Sequence, residues 1–289
     1  MSIQSMTGFG RGEKAGGNYT VTVEAKSVNN RFKDIRLKMS SVYNSIEIDM
    51  KKKVTDLFNR GSFDIYVNFK RAQSNSKFDD LDEQKVQEYV NKMKQMVGDE
   101  NLAIQPTEFL RHEFMKEYDL SQDQELMELT LAALDDALDN LKKSRESEGS
   151  KLKAIIEKHK VAYMGYFEAI KKEIPSFQKN VEEKLLKKFS EFGKDLGIDE
   201  PRFMQEVVYF MEKLDVHEEI NRIEAHTQKL EEILNMGGEV GRQLDFLVQE
   251  FNRETNTIGS KSSLKEISDS VVQMKVQLEK MREQGLNLE

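Results

Sequence analysis

The spacing of apolar residues changes once along this chain, and that change limits the possible folds more than any other feature. Up to residue 72 the period is two. Tyr19, Val21, Val23 and Ala25 alternate with Thr20, Thr22, Glu24 and Lys26. Ile35, Leu37 and Met39 alternate with Arg36 and Lys38, and Phe63, Ile65, Val67 and Phe69 with Asp64, Tyr66, Asn68 and Lys70. Period two puts one face of each strand on a core and the other in water. Gly16-Gly17-Asn18 reads as a turn between two early strands. Val42, Ile46, Met50, Val54 and Leu57 have helical spacing, so one helix belongs to this part.

Residues 73–80, QSNSKFDD, are polar and break the pattern. Beyond them nearly every apolar stripe has the helical period. Leu126, Leu129, Ala133, Leu134, Ala137, Leu138 and Leu141 form one face, which runs on past Arg145 towards Leu152, Ile155 and Ile156. Only three prolines occur, so long helices are permitted; Pro175 is expected to start or interrupt one. Asp199-Glu200-Pro201 is a helix-start signal. Three helices are expected from residue 202 onward. The first carries Phe203 through Leu234 and ends at Gly237-Gly238. The second carries Val240 to Ile258 and ends at Gly259. The third carries Ile267, Val271, Met274, Leu278 and Met281 in a near-heptad, a face that suits either the core or a subunit contact. The expected fold is α+β: a small β-rich N-terminal domain over 1–72, a linker over 73–80, a helical middle region over 81–200 and a C-terminal helical region over 201–289.

The chain has no cysteine, which removes thiol catalysis, disulfide scaffolds and cysteine-ligated metals. No segment approaches a membrane span and the start has no signal-peptide core, so the expected location is cytoplasmic. The net charge is −8, but it is unevenly spread. Residues 1–72 hold 13 Lys and Arg against 7 Asp and Glu, while the rest hold 31 against 45. A basic module on an acidic chain can hold phosphates locally, because screening cuts off charge beyond about 10 Å. A solvated surface with a chance surplus is the plainer alternative.

Two phosphate-loop look-alikes fail. Ile258-Gly259-Ser260-Lys261-Ser262 has no Lys directly after Gly, and Glu254 stands where the first Gly of a P-loop belongs. Gly8-Phe9-Gly10-Arg11-Gly12 has no helix signal after it, so a turn or an edge strand fits better than a nucleotide fingerprint. Asp215, Glu219, Arg222 and His226 are more informative. Their spacing of four, three and four sets all four on one face of an α-helix. Two carboxylates and an imidazole can ligate a divalent cation, and Arg222 can neutralise them or hold a phosphate. A solvated salt-bridge ladder has the same spacing. Asp245, Gln249, Asn252 and Asn256 repeat it, with Glu250 and Arg253 as a neighbouring pair. Amide side chains can donate to phosphate or ribose oxygens. His112 and His159 read as surface or boundary residues.

Several stretches together resemble the YicC family of bacterial endoribonucleases. They are Met6-Thr7-Gly8-Phe9-Gly10-Arg11, Glu24 through Phe32, Arg145 with Glu148-Gly149, Asp215, Glu218-Glu219, Arg222 and His226, Leu244 through Glu250, Asn252-Arg253-Glu254, Asn256 through Lys261, and Arg282-Glu283-Gln284. Asn30 stands where many members have His, Ser62 where Lys is common, and Gly285 where the last helix usually runs unbroken. The resemblance implies a metal-dependent RNase that prefers single strands and assembles as a hexameric ring. On that basis the expected activity is cleavage of RNA phosphodiester bonds. His226, Glu219 and Glu250 are the expected catalytic residues. Asp215, Glu219, His226 and Asp245 are the expected ligands of Mn²⁺ or Mg²⁺. Arg11, Arg31, Arg222, Asn252, Arg253, Asn256 and Lys261 are the expected RNA contacts. A non-catalytic adaptor that presents single-stranded or structured RNA to other nucleases is the alternative.

Overall fold

A computed structural model describes residues 3–30, 32–71, 81–98, 109, 112–114, 120–192, 199–238 and 240–289. The linker expected at 73–80 and Arg31 lie outside the described residues. The expected α+β class holds: a four-stranded sheet comes first, and helices make up most of the remaining chain. The chain divides into two compact units, residues 8–143 and residues 1–7 with 144–289.

The first unit contains β1 (Gly8–Ala15), β2 (Tyr19–Val28), β3 (Lys33–Lys38), α1 (Glu47–Leu57), β4 (Gly61–Arg71) and α2 (Glu83–Val97). The sheet order is β1-β2-β4-β3. β1 and β4 run antiparallel to β2, whereas β3 runs parallel to β4. A parallel pair needs a crossover, and a 3₁₀ turn over Ser41–Ile46 followed by α1 supplies it. Alternation in β2 buries Tyr19, Val21, Val23 and Ala25 as expected. They pack with Met50 and Val54 of α1 and with Leu126, Leu134, Leu138 and Leu141 from the start of α3 (Gln124–Phe192). This unit therefore extends well past the basic 1–72 stretch, because the sheet's apolar face is covered by residues 124–143.

The Gly-x-Gly of β1 is explained here, and its role is packing. A Cβ on Gly10 would lie 2.0 Å from the Ala137 carbonyl oxygen, and one on Gly12 would lie 2.0 Å from that of Ala133. The strand rests directly on the helix backbone, which only glycine permits.

The second unit contains the rest of α3, α4 (Glu200–Lys213), α5 (His217–Met236), α6 (Val240–Lys261) and α7 (Lys265–Gly285). Leu152, Ile156, Tyr163, Phe167, Ile170 and Ile174 of α3 form its core with α5, α6 and α7. Pro175 neither starts nor interrupts a helix, contrary to expectation: α3 continues through it. Buried Ile174 and Phe177 flank it, so core packing holds the segment helical against the lost hydrogen bond. Phe203 of α4 stacks on Phe189 of α3 with centroids 4.1 Å apart. The near-heptad face of α7 is core within the chain: Ile267, Val271, Met274, Leu278 and Met281 are all buried. It is therefore not a free subunit contact.

Two helix boundaries differ from expectation. The single helix expected from Phe203 to Leu234 is two, broken at residues 214–216. Asp215 causes the break locally: its Oδ1 accepts the His217 N–H at 3.0 Å and satisfies a free donor of the new helix. The second helix runs through Gly259 to Lys261, where Val271 packs against the glycine. Gly237 and Gly238, with φ of 68° and 87°, end α5 as expected.

The chain's two ends meet in this unit. Gln4 N–H donates to the Glu289 carbonyl at 2.9 Å, and Glu289 N–H donates back at 2.7 Å. Buried Arg145 locks the clasp. Its Nε donates to the Ser5 carbonyl at 2.6 Å and its Nη2 pairs with the Glu289 carboxylate.

Candidate functional site

The site is built on the seam between α5 and α6. The glycine turn brings α6 back along α5. Glu219, Ile223, His226, Leu230 and Ile233 mark the seam on α5, and Leu244, Leu247, Phe251, Glu254 and Ile258 mark it on α6. Both sets step by three and four, the spacing of helices packed side by side. Three seam positions are not apolar: Glu219, His226 and Glu254. A polar group at a core position costs free energy unless something satisfies it.

One ligating atom each from His226, Glu250 and Glu254 lies within 4.8 Å of the others. Glu254 is only 2% exposed. Nε2 of His226 is buried and has no hydrogen-bond partner among the described residues. The His226 ring meets the Phe251 ring edge-on at 5.6 Å, which fixes one side of the imidazole. An imidazole nitrogen with two carboxylates is a donor set that suits a hard divalent cation.

Arg222 borders the cluster one turn before His226. Its Nη1 donates to Glu254 Oε1 at 3.1 Å and its Nη2 to Glu218 at the surface. The Glu254 hydrogen bond leads the interactions that raise the guanidinium's pKa, so it stays charged. Half of that side chain remains exposed and can meet a phosphate. Behind α6, the Thr255 hydroxyl donates to the Phe251 carbonyl at 2.7 Å. It therefore accepts from Tyr163, whose oxygen lies 2.9 Å away. Burial, with some help from the charge of Glu254, pushes the Tyr163 phenol well above its ordinary pKa. Tyr163 stays protonated and pins the turn that carries Glu254.

The other expected site residues lie elsewhere. Asp215 precedes α5 and binds His217, whose hydrogen bond depresses the Asp215 pKa. Its carboxylate is therefore not on a continuous helix face with His226. Glu219 is buried, and Lys261 Nζ donates to its Oε1 at 2.8 Å and to the Asp215 carbonyl at 2.7 Å. Lys261 thus neutralises a core acid. Asp245 accepts from Arg282 Nε at 2.7 Å and from Gln249 at 3.0 Å. Nine residues, about 13 Å of helix, separate it from Glu254. Asn252, Arg253 and Asn256 are exposed on α6. Arg11 is exposed on β1 and pairs with Glu13 at 2.8 Å.

Of the expected catalytic and metal residues, the cluster keeps His226 and Glu250 and adds Glu254. The signal for Glu254 was its register. It continues Leu244, Leu247 and Phe251 towards Ile258, so an acid stands where the stripe calls for an apolar side chain. A periodicity built only from apolar residues passes over it.

Residues 3–154 match the family described as "Endoribonuclease YicC-like, N-terminal region", and residues 170–289 match "Endoribonuclease YicC-like, C-terminal". A protein of Clostridioides difficile named "Probable endoribonuclease YicC" is 34% identical over 292 residues, covering 99% of each chain. One of the same name from Haemophilus influenzae is 31% identical over 294 residues, covering 99% of this chain and 100% of its own. The register of His226, Glu250 and Glu254 thus lies inside a match that runs almost end to end: the chain belongs to the YicC-like endoribonuclease family.

Proposed function

We propose that the chain is an endoribonuclease that cleaves single-stranded RNA with a divalent cation, Mn²⁺ or Mg²⁺, held by His226, Glu250 and Glu254. The observation that carries this reading is the buried Nε2 of His226, without a partner among the described residues, beside two carboxylates. A buried ring nitrogen left without a partner costs about 1–3 kcal/mol, and the carboxylates of Glu250 and Glu254 repel one another. A cation relieves both. Asp215, Glu219 and Asp245 are left out of the ligand set because none of them belongs to the group formed by His226, Glu250 and Glu254; they pair instead with His217, Lys261 (through one oxygen of Glu219) and Arg282.

A divalent cation there would supply electrostatic stabilisation of charge developing on the scissile phosphate. The chain's own groups supply the rest. Arg222, held by Glu254 at one edge, can exchange its surface partner Glu218 for a phosphate oxygen. Asn252, Arg253 and Asn256 line up along α6 and can bind the flanking backbone. The basic N-terminal stretch, with Arg11 and Arg31, adds non-specific attraction that offsets the acidic remainder. Assembly as a closed homo-oligomer is part of the same proposal, and exposed Met204, Val208 and Tyr209 on α4 provide apolar surface for it.

The test is digestion of a labelled single-stranded oligonucleotide by wild type and by His226→Ala, with and without chelator. Cleavage by wild type alone, abolished by chelator, is the expected result. Full activity of His226→Ala, or chelator-resistant cleavage, would overturn the cation site. Bound but uncut RNA under all conditions would favour the adaptor reading.

A further inference from the structure

A cavity of about 630 Å³ lies between the C-terminal end of α3, the end of α4 and the α6–α7 turn. That volume is within the range of small-ligand pockets. Its walls differ in chemistry. Phe177, Val181 and Phe210 make an apolar side; Lys184, Lys188 and Lys261 with Ser262 make a cationic, hydroxyl-bearing side.

The charges carry the inference. Lys184 and Lys188 are four residues apart on one helix face, and neither forms an ion pair among the described residues. Like charges at that spacing repel and weaken the helix. Lys187 adds a third cation to the same rim, and its only ion pair among the described residues is a long one of 4.0 Å to Glu191. Lys261 joins this cationic side from the end of α6, held there by Glu219. The Ser262 oxygen accepts the Leu264 N–H at 3.2 Å, which leaves its own proton free to donate. An anion bound against this side relieves the repulsion and uses the free donors. The aromatic side then requires a flat or apolar portion on the same ligand. Phe177 is buried as floor, whereas Phe210 is 44% exposed and offers its ring.

We propose that this cavity binds a nucleoside 5′-phosphate, with the phosphate on Lys184, Lys188 and Ser262 and the base against Phe210. A free mononucleotide and the 5′-phosphorylated end of an RNA strand share this chemistry. The site is separate from His226, Glu250 and Glu254 and does not depend on the cleavage reading, since a mononucleotide has no internucleotide bond to cut.

The test is calorimetric titration of the full chain with uridine 5′-monophosphate, uridine and inorganic phosphate. Uridine 5′-monophosphate should bind at least about tenfold more tightly than uridine, the effect of one or two charge-assisted contacts. Lys184→Glu with Lys188→Glu, both exposed, should weaken it by about the same factor. Phe210→Ala should weaken the nucleotide and leave inorganic phosphate unchanged. A second arm compares 5′-phosphorylated and 5′-hydroxyl pentauridylate in chelator. A preference for the phosphorylated strand identifies an RNA end as the ligand; binding of the mononucleotide without that preference identifies a free nucleotide. The proposal is overturned if neither the mononucleotide nor the phosphorylated end is favoured, or if the double variant binds like wild type. Loss of nucleotide binding with intact RNA cleavage removes this site alone, and the converse removes the nuclease reading alone.

Discussion

At the scale of single residues, the seam between α5 and α6 holds groups that folding alone would not select. His226 lies on the stripe of Ile223 and Leu230, its ring against Phe251, with a buried ring nitrogen that none of the described residues satisfies. His226→Leu should therefore stabilise the metal-free protein by about 1 kcal/mol in urea unfolding while abolishing cleavage. Destabilisation by that variant in chelator would show that the imidazole is a structural group. Asp123 illustrates the opposite case. It accepts the Tyr19 hydroxyl at 2.6 Å and the Leu126 N–H at 3.1 Å, so it both ties β2 to α3 and caps the helix. These two bonds, that of Tyr19 first, hold its carboxyl below the ordinary range. The depressed value means the stabilisation is present above the unfolded carboxylate's titration, at about pH 3.9, and is lost as pH falls through the lower folded value. Asp123→Ala should cost about 1 kcal/mol at neutral pH through the lost cap. Asp123→Asn keeps a capping oxygen, costs less, and should flatten stability below about pH 4. Unfolding monitored by circular dichroism across pH checks both.

At the scale of elements, the two periods in the sequence carried most of the fold. The alternation Tyr19, Val21, Val23, Ala25 became β2, and Leu126 to Leu141 became the helix that covers it, because burial on one face leaves a period that a linear reading can find. The misses occurred where one polar contact or one long-range contact overrides the local pattern. Asp215 turns back onto His217 and splits a helix whose apolar stripe runs on without a gap. Pro175 stays helical because Ile174 and Phe177 are anchored in a core that local spacing does not show. The candidate cluster was half legible for the same reason. His226 and Glu250 stood out as polar residues at helical spacing, whereas Glu254 hid inside an apolar stripe and Asp245 looked available until Arg282, 37 residues later, took it. Two predictions belong at this scale. Gly10→Ala forces a Cβ onto the Ala137 carbonyl and should destabilise the first unit by about 3 kcal/mol, read by thermal unfolding. Arg145→Met strips the buried partner from Glu289 and should cost about 3 kcal/mol, read the same way.

At the scale of the whole molecule, the charge is unevenly spread along the chain. The basic surplus lies in the first 72 residues, whereas the group of His226, Glu250 and Glu254 lies on α5 and α6 in the acidic remainder. RNA affinity should therefore fall steeply with salt, in proportion to the phosphates contacted, even though the chain is net negative. Among the described residues no helix is long and apolar enough to cross a membrane. The most direct measurement is a Mn²⁺ titration of the intact chain monitored by electron paramagnetic resonance, comparing wild type with Glu254→Gln and His226→Ala. One tight Mn²⁺ per chain in wild type, lost in both variants while both stay folded, is the predicted result. Equal Mn²⁺ binding by wild type and both variants would contradict the assignment of His226, Glu250 and Glu254 as the cation site.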